Sequence, residues 1–387
     1  PKHPTNTTMV AMKCCRSTFH WQLLLLTVCF CSTLLWNCLC LGASDASAAA
    51  DPYIKQLNRR RWITVEQIME IGRMNFGTVQ LQDDSQLVHI LGGWGSQLNL
   101  EEDQHRHMRL GNVETFNVTS ETWVNTSTPI PPMIDERSAF GVASVVGKIF
   151  VFGGVDQDLS TIADSEVYDV MTGRWAPLPP MEKARSGCKA VVWRHYIFVV
   201  GGLGMDDKVL DTVEVMDWRT HHWMSKEQHP VPRMLSPRWY PSVVVLFDRL
   251  YAIGGYDMES ALDTAEVLDL GAEEEEWVPL KSRLTVARGN MATVTLYDRF
   301  VMVAGGFSGI HGYLRYVDIL DTAVDTFYRG HNITRAREGS GMVATQSSVY
   351  LFGGYSQQEA YMNDVRRMDL PPYVQTLPGY TGGESSC

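Results

Sequence analysis

Between residues 92 and 354, six Gly-Gly pairs recur at intervals of 48 to 61 residues, and they restrict the fold of this chain more than any other feature of its sequence. Each pair ends a β-rich run and is followed, ten to twenty-one residues later, by an acidic residue. The pairs stand at 92–93, 153–154, 201–202, 254–255, 305–306 and 353–354, and the acids are Glu114, Glu166, Glu214, Glu266, Asp318 and Asp364. A unit of about fifty residues with four short strands cannot bury both faces of its own sheet. Radial packing of the sheets solves this problem, so the sequence predicts an all-β, six-bladed propeller.

An aromatic residue closes most of the repeats and completes a recognisable pattern. These aromatics are Trp123, Trp175, Trp223, Trp277 and Phe327. The order of hydrophobic run, Gly-Gly, Ser-Glu-Val-Tyr-Asp (165–169) and Trp resembles the kelch repeat, and the resemblance covers roughly residues 60–370. It implies four-stranded kelch blades that bind partners through two sets of loops, those entering the first strands and those following the Gly-Gly pairs.

The sixth repeat lacks its closing tryptophan, because Gln375 stands at that position. A substitute occurs at the other end of the chain, where Trp62 lies in a β-rich stretch 11 residues before Arg73, as Trp277 lies 11 residues before Arg288. We therefore predict that an N-terminal strand completes the last blade and closes the ring. The propeller then occupies residues 60–370, with a linker at 51–59 and a flexible tail at 371–387.

Residues 1–50 differ in character from the rest. Lys13 and Arg16 precede an apolar run from Trp21 to Leu41, and small residues with A-x-A sites follow. This order is typical of a secretory signal peptide, whereas the 21-residue run also suits a signal anchor or a buried helix. We expect translation to start at Met9 or Met12, so that residues 1–8 are not native. The leader predicts a secreted or lumenal protein, or a type II membrane protein at the cell surface if it is not cleaved, with no other contact to the membrane.

Cysteines and sequons agree with export. Six of the eight cysteines lie in the first fifty residues, so Cys188 and Cys387 allow one disulfide at most. Three sequons predict N-glycosylation at Asn117, Asn125 and Asn332.

One arginine precedes each Gly-Gly pair by 16 to 19 residues and should start the innermost strand of its blade. The six are Arg73, Arg137, Arg185, Arg238, Arg288 and Arg337. Two interpretations remain open from the sequence. The arginines pair with the six recurring acids inside the fold, or they ring one mouth of the central shaft and bind an acidic ligand, as arginines often do in the propellers that this chain resembles.

Specificity should come from loops that differ between blades, because a rigid scaffold fixes their ends. The candidate contacts in these loops are Trp94, Tyr256, Phe307, Tyr313, Tyr355 and Tyr361. Large rigid aromatics of this kind dominate many protein interfaces, although packing of the loops on themselves would also explain them.

Several functional classes are excluded or disfavoured. A net charge of −11 argues against a nucleic-acid groove. The blade 1 insertion, with His105 and His107 near acids, could bind a divalent ion, but a solvated charged loop explains it equally simply. Residues 238–243 are similar to a segment of the galactose oxidase and glyoxal oxidase family, yet no copper ligands can be placed. A sialic-acid mutarotase also has six kelch blades, but its general base is not identifiable in this sequence.

We therefore expect a non-catalytic, exported or membrane-tethered propeller without cofactor or metal, which binds a protein or glycan, acidic in character, through one loop-lined face. The alternatives are an isomerase acting on a sugar acid and a copper radical oxidase.

Overall fold

The computed structural model describes residues 51–81, 84–99, 104–124, 129–225, 227–273 and 275–373. The predicted leader, Asn125 and residues 374–387 of the predicted tail lie outside these ranges. Within them the chain forms six antiparallel blade sheets, a separate two-stranded hairpin and one short helix. We number the blades by the Gly-Gly pair that each contains, from 1 (92–93) to 6 (353–354).

The described chain begins with α1 (Pro52–Leu57) and β1 (Trp62–Val65). Blade 1 contains β2 (Arg73–Met74), β3 (Gly77–Leu81), β4 (Asp84–Asn99), β5 (Gln104–Asn117) and β6 (Thr122–Trp123). Blade 2 contains β7 (Gly141–Val145), β8 (Lys148–Phe152), β9 (Ser165–Asp169) and β10 (Arg174–Leu178). Blade 3 contains β11 (Lys189–Trp193), β12 (Tyr196–Val200), β13 (Val213–Asp217) and β14 (His222–Trp223).

Blade 4 contains β15 (Ser242–Leu246), β16 (Arg249–Ile253), β17 (Ala265–Asp269) and β18 (Trp277–Pro279). Blade 5 contains β19 (Ala292–Leu296), β20 (Phe300–Ala304), the hairpin β21 (Phe307–Ser308) and β22 (Gly312–Tyr313), then β23 (Val317–Asp321) and β24 (Thr326–Arg329). Blade 6 contains β25 (Gly341–Ala344), β26 (Ser348–Ser356) and β27 (Ala360–Asp369).

The innermost strands β3, β7, β11, β15, β19 and β25 pack side by side in a closed circle around the central shaft, with β25 returning to β3. The prediction of a six-bladed propeller is therefore confirmed. Each blade is a meander, so the loops after Gly-Gly and the entries to the first strands share one face, which we call the loop face. The turns between first and second strands lie on the opposite face.

Ring closure also follows the prediction. Strand β1 pairs antiparallel with β27, with Trp62 opposite Met368 and Val65 opposite Val365. Trp62 is only 5% exposed, which removes a large apolar area from water. The N-terminal strand thus supplies the fourth strand of blade 6, and the first and last parts of the described chain hold each other.

The segment 51–59, for which the sequence predicted a linker, instead contains α1. Asp51 caps this helix by accepting a hydrogen bond from the Tyr53 backbone N–H at 2.7 Å. Tyr53, Ile54 and Leu57 are buried in the core shared by blades 5 and 6. Tyr373, at the start of the predicted tail, stacks there on Tyr297 and meets the edge of Tyr53. The apolar face of α1 explains why this segment docks.

The Gly-Gly pairs are required where neighbouring blades meet. Gly153 and Gly154 have φ of 59° and 104°, in the region that side chains other than glycine rarely adopt. A Cβ atom on Gly153 would lie 2.4 Å from the carbonyl oxygen of Arg185 in the next blade. The closing tryptophans join blades as well, since the indole of Trp175 donates to the carbonyl of Pro131 at 2.8 Å.

Among the described residues, no helix has the length and apolar character needed to cross a membrane. The apolar run 21–41 lies outside those residues, so the leader and the export that it implies stay predictions.

Candidate functional site

The six recurring arginines are structural. All are 0–1% exposed, although side chains of this charge are rarely buried without partners. Each pairs with the acid of its own blade: Arg73–Glu114, Arg137–Glu166, Arg185–Glu214, Arg238–Glu266, Arg288–Asp318 and Arg337–Asp364. The first interpretation from the sequence therefore describes the structure. The alternative, an open guanidinium ring at the mouth, does not, because these side chains point into the junctions between blades.

Arg337 shows how a junction is built. Its guanidinium donates to both carboxylate oxygens of Asp364, at 2.8 and 3.0 Å, and to the carbonyl oxygen of Gly353 at 2.7 Å. Its own carbonyl oxygen accepts from the Gly306 N–H of the preceding blade at 2.8 Å. This one residue therefore contacts the glycine pair of its own blade, an acid and the neighbouring blade. Its positive charge is neutralised by Asp364 inside the fold.

A closed ring of backbone hydrogen bonds surrounds the shaft two residues after each arginine. Each N–H donates to the carbonyl oxygen of the equivalent residue one blade earlier, at 2.6 to 3.0 Å, and all six residues have positive φ. The ring consists of Asn75, Ala139, Gly187, Tyr240, Asn290 and Gly339. It encloses a cavity of about 20 Å³, which has room for roughly one water molecule. This ring, which we call the mouth ring, narrows the shaft at the loop face and fixes the positions of the side chains around it.

The residue just before each ring member pairs with the residue just after each Gly-Gly. This gives six pairs around the mouth: Met74 with Trp94, Ser138 with Val155, Ser186 with Leu203, Trp239 with Tyr256, Gly289 with Phe307 and Glu338 with Tyr355. Blades 2 and 3 place small or aliphatic residues there, whereas the other four blades place aromatics. The backbone is the same in every blade, but the chemistry of the mouth is asymmetric.

Five of the six aromatic residues predicted from the sequence come together, and the sixth, Trp94, contacts Arg109 instead. Phe307 and Tyr313 have ring centroids 5.1 Å apart, Tyr313 and Tyr355 are 5.7 Å apart, and Tyr355 and Tyr361 are 5.2 Å apart. The hydroxyl of Tyr256 joins this arc by donating to the carbonyl oxygen of Phe307 at 2.9 Å. All five rings are partly exposed, so they pack on one another and still present a surface.

Arg109 is a functional candidate that the sequence did not single out. It is 5% exposed, and its guanidinium lies 4.6 Å from the centre of the Trp94 ring in a cation–π contact. Burial lowers its pKa, and its Nε atom is buried with no hydrogen-bond partner in the described residues. No carboxylate of the described chain lies within ion-pair distance of it. Arg109 therefore differs from the six junction arginines in having no carboxylate partner among the described residues.

Glu338 is the acidic counterpart at the mouth. Its Oε2 atom accepts a hydrogen bond from Asn290 Nδ2 at 3.1 Å. Burial raises the pKa of this carboxyl group to about 7, against a smaller opposing effect of the Asn290 hydrogen bond. The pKa values of Tyr240, Tyr256 and Tyr313 are raised, first by burial and next by the negative charge of Glu338, which places all three phenols near that carboxylate. The positive charge of Arg109 acts on the pKa of Tyr240 with the opposite sign.

The loops after Gly-Gly in blades 2 to 5 each carry one exposed apolar side chain. These are Leu159, Met205, Met258 and Ile310, which are 57%, 75%, 59% and 89% exposed. Exposed apolar groups on the face that also carries the aromatic arc are consistent with a protein interaction surface.

The remaining predictions concern two of the glycosylation sites and metal binding. Asn117 accepts hydrogen bonds from the backbone N–H groups of Thr119 and Ser120, and Asn332 accepts one from Arg329, so glycosylation of either stays a prediction. In the part of the chain that the structure describes, no three His, Cys, Asp or Glu side chains are grouped as metal ligands.

Two family models match the sequence. One, described as the KLHDC2/KLHL20/DRC7 Kelch-repeats domain, matches residues 37–255, which is more than half of the chain. The other, the Kelch motif, matches residues 237–282. The chain is also similar to human Kelch domain-containing protein 3, with 24% identity over 152 residues. That match covers 35% of this chain and 40% of the relative, so it spans less than half of the relative's length.

Proposed function

The chain belongs to the kelch-repeat family, and from this premise we propose that it binds another protein through the loop face of its propeller. The observation that carries the proposal is the asymmetry of the mouth. Six equivalent junctions hold the ring, but only blades 4, 5, 6 and 1 place aromatics at the mouth positions. Folding does not require this difference, because the same backbone closes in blades 2 and 3 without aromatics.

The loop face offers the usual components of a protein interface. Rigid aromatics, Met side chains and a stacked arginine are the residue types enriched at hot spots. We place the partner's acidic group at Arg109, where a carboxylate would satisfy the buried Nε and meet a guanidinium that already lies on Trp94. A glycan carrying an acidic sugar would satisfy the same group.

The test compares the two ends of the propeller. Met205→Asp combined with Ile310→Asp places charge on the loop face, whereas Met171→Asp does so at an opposite-face turn, where Met171 is 92% exposed. Proteins captured by the wild-type chain from an extracytoplasmic extract should be retained by Met171→Asp and lost with the double variant at unchanged melting temperature. Equal capture by the double variant would reject the loop face as the binding surface.

We also propose that the protein is exported and glycosylated, with the leader and three sequons as the supporting features. Cell fractionation combined with glycosidase digestion tests this. A lumenal or secreted fraction whose mass falls on digestion is expected, and a cytosolic protein without a mass change would reject export.

One observation favours the isomerase alternative as a second candidate. Glu338, whose pKa burial raises to about 7, would serve as the general acid–base group of such an enzyme, and Arg109 would hold the sugar carboxylate. The junction arginines cannot, because they are buried. Proton NMR of anomer exchange in N-acetylneuraminic acid tests this idea. Acceleration by the wild type and not by Glu338→Gln would support an isomerase, and no acceleration would reject it.

A further inference from the structure

A single acidic residue interrupts the pattern around the mouth. At the six equivalent positions between junction arginine and mouth ring, the other residues are Met74, Ser138, Ser186, Trp239 and Gly289. Glu338 is thus the only one that carries a charge, and its backbone pairs with Tyr355 in both directions, at 2.9 and 3.0 Å. These two bonds fix the backbone of Glu338, and the hydrogen bond from Asn290 Nδ2 orients its carboxylate.

This carboxylate lacks a cation. Its one hydrogen-bond donor is the neutral amide of Asn290, and no Arg, Lys or His side chain of the described residues lies within ion-pair distance. Every junction acid, in contrast, has an arginine. Removing a carboxylate from water without a cationic partner is unfavourable, and its raised pKa records that cost.

The surroundings of Glu338 accept hydrogen bonds and carry aromatic faces. Tyr355, whose backbone pairs with that of Glu338, has its ring centroid 5.7 Å from that of Tyr313. The negative charge of Glu338 also raises the pKa values of Tyr240, Tyr256 and Tyr313, after the larger effect of burial. Nearby, the Nδ2 group of Asn75 donates to the Tyr240 hydroxyl at 3.1 Å, while its Oδ1 atom is buried with no hydrogen-bond partner in the described residues. An orphan acceptor, a carboxylate and several electron-rich rings are together complementary to a positive group.

We propose that Glu338 binds an organic ammonium group at the mouth, together with the neighbouring side chains of Tyr313, Tyr355, Tyr256 and Asn75. Aromatic rings around a carboxylate attract such a cation through their quadrupoles and the full negative charge, and they tolerate the methyl groups of an alkylated ammonium. The group comes from a lysine side chain of the partner, free or methylated, or from a small quaternary amine. The first source rests on the proposed function; the second does not.

Arg109 supports the same assignment. The pKa of Tyr240 is affected both by this cation, which has no carboxylate partner among the described residues, and by the Glu338 carboxylate, which has no cationic partner there. If the two were meant to neutralise each other, the fold would bring them into contact, as it does in all six junctions. A partner that carries an acid and an ammonium group would satisfy both.

The experiment uses the full chain and two probes of equal shape, choline and its neutral isostere 3,3-dimethyl-1-butanol. The affinities are measured by calorimetry and by tryptophan fluorescence, for which Trp239, paired with Tyr256, is the reporter. We expect choline to bind at least tenfold more tightly than the neutral isostere, and Glu338→Gln to weaken choline binding at least tenfold. Tyr313→Leu should weaken it severalfold. Glu359→Gln, which removes an exposed acid paired with Arg335, is the matched control and should bind as the wild type does.

Equal binding of the two probes, or undiminished choline binding by Glu338→Gln, would overturn the proposal. Acetyl-lysine methylamide, with its side-chain amine free or trimethylated, distinguishes the sources. Tighter binding than choline supports a protein side chain, and weaker binding supports a small quaternary amine. The double variant Met205→Asp with Ile310→Asp should still bind choline, so failure of the loop-face proposal and failure of the ammonium site are separately visible.

Discussion

Arg337 and Glu338 are neighbours in the chain but belong to different parts of the molecule. Arg337 is fully buried, and its hydrogen bonds go to Asp364 and to the carbonyl oxygen of Gly353. Glu338 is partly exposed at the mouth, and the hydrogen-bond donor to its carboxylate among the described residues is the amide of Asn290. Arg337 has an equivalent in every blade, whereas Glu338 has none. Repetition in this protein therefore marks architecture, and departure from repetition marks the surface available for a ligand.

The largest expected effect on the architectural side is loss of ring closure. Deletion of residues 60–66 removes β1, which pairs with β27 and buries Trp62. The free energy of unfolding should fall by more than the roughly 3–5 kcal/mol that truncation of one buried tryptophan costs. Thermal and urea unfolding of the deleted and complete chains measure this loss.

Two point variants on the same strand sharpen that result. Trp62→Ala should reproduce much of the loss, while Ile63→Ala should change little, because Ile63 points outward and is 43% exposed. A deletion mutant that melts with the wild type would show that the ring does not depend on its N-terminal strand.

The second expected effect concerns a single junction. Arg238 and Glu266 are each 1% exposed and lie 2.7 Å apart. Arg238→Met leaves the Glu266 carboxylate buried without its cation, which typically costs about 3–5 kcal/mol. Urea unfolding should reveal this loss, with Arg233→Ala as the control. Arg233 forms a surface pair with Asp211 and is 61% exposed, so its removal should cost about 1 kcal/mol or less.

A double variant separates charge from packing at this junction. Arg238→Met combined with Glu266→Gln removes the buried charge as well as its partner, so it should recover part of the stability lost in Arg238→Met. A single variant as stable as Arg233→Ala would instead mean that the junction pairs do not stabilise the fold.

Periodicity explains which parts of this structure could be predicted from the sequence. The blade number, the closing strand and the six arginine–acid pairs each involve a residue type that recurs at a fixed spacing. The aromatic arc was also predictable, because it occupies the variable loops. The mouth ring lies at a fixed spacing, two residues after each arginine. It could not be recognised from the sequence, because its residue types differ and the members share only a positive φ.

The two charged mouth residues could not be predicted in the same way. Arg109 lies within the blade 1 insertion, residues 95–111, and has no counterpart in other blades. Glu338 adjoins a junction arginine, so its sequence position suggests an ordinary surface acid. Only the fold shows that the paired strands hold it against Tyr355 and near three phenols. The helix α1 was missed for a related reason, because six residues carry too little periodicity to be distinguished from a linker.

The smallest expected effect is a change in the pH dependence of stability. Burial raises the pKa of Glu338 from 4.5 to about 7 in the folded protein. The folded state therefore holds this proton more tightly than the unfolded state, and stability falls as pH rises between those values. The groups packed around Glu338 are Asn290, Tyr240, Tyr256, Tyr313 and Tyr355. The amide does not titrate, and the raised pKa values of Tyr240, Tyr256 and Tyr313 keep those phenols neutral in this range.

Glu338→Gln removes this one titration and leaves the junction carboxylates in place, so their contributions cancel when the two proteins are compared. In urea unfolding between pH 5 and pH 8, the variant should gain stability relative to the wild type as pH rises, and Glu359→Gln should not. Choline should reverse the trend in the wild type alone, because a bound cation stabilises the ionised carboxylate. If the stability of the wild type and of Glu338→Gln changed in parallel with pH, Glu338 would be solvated like any surface acid. The mouth would then not differ from the rest of the surface in holding a buried, unpaired carboxylate.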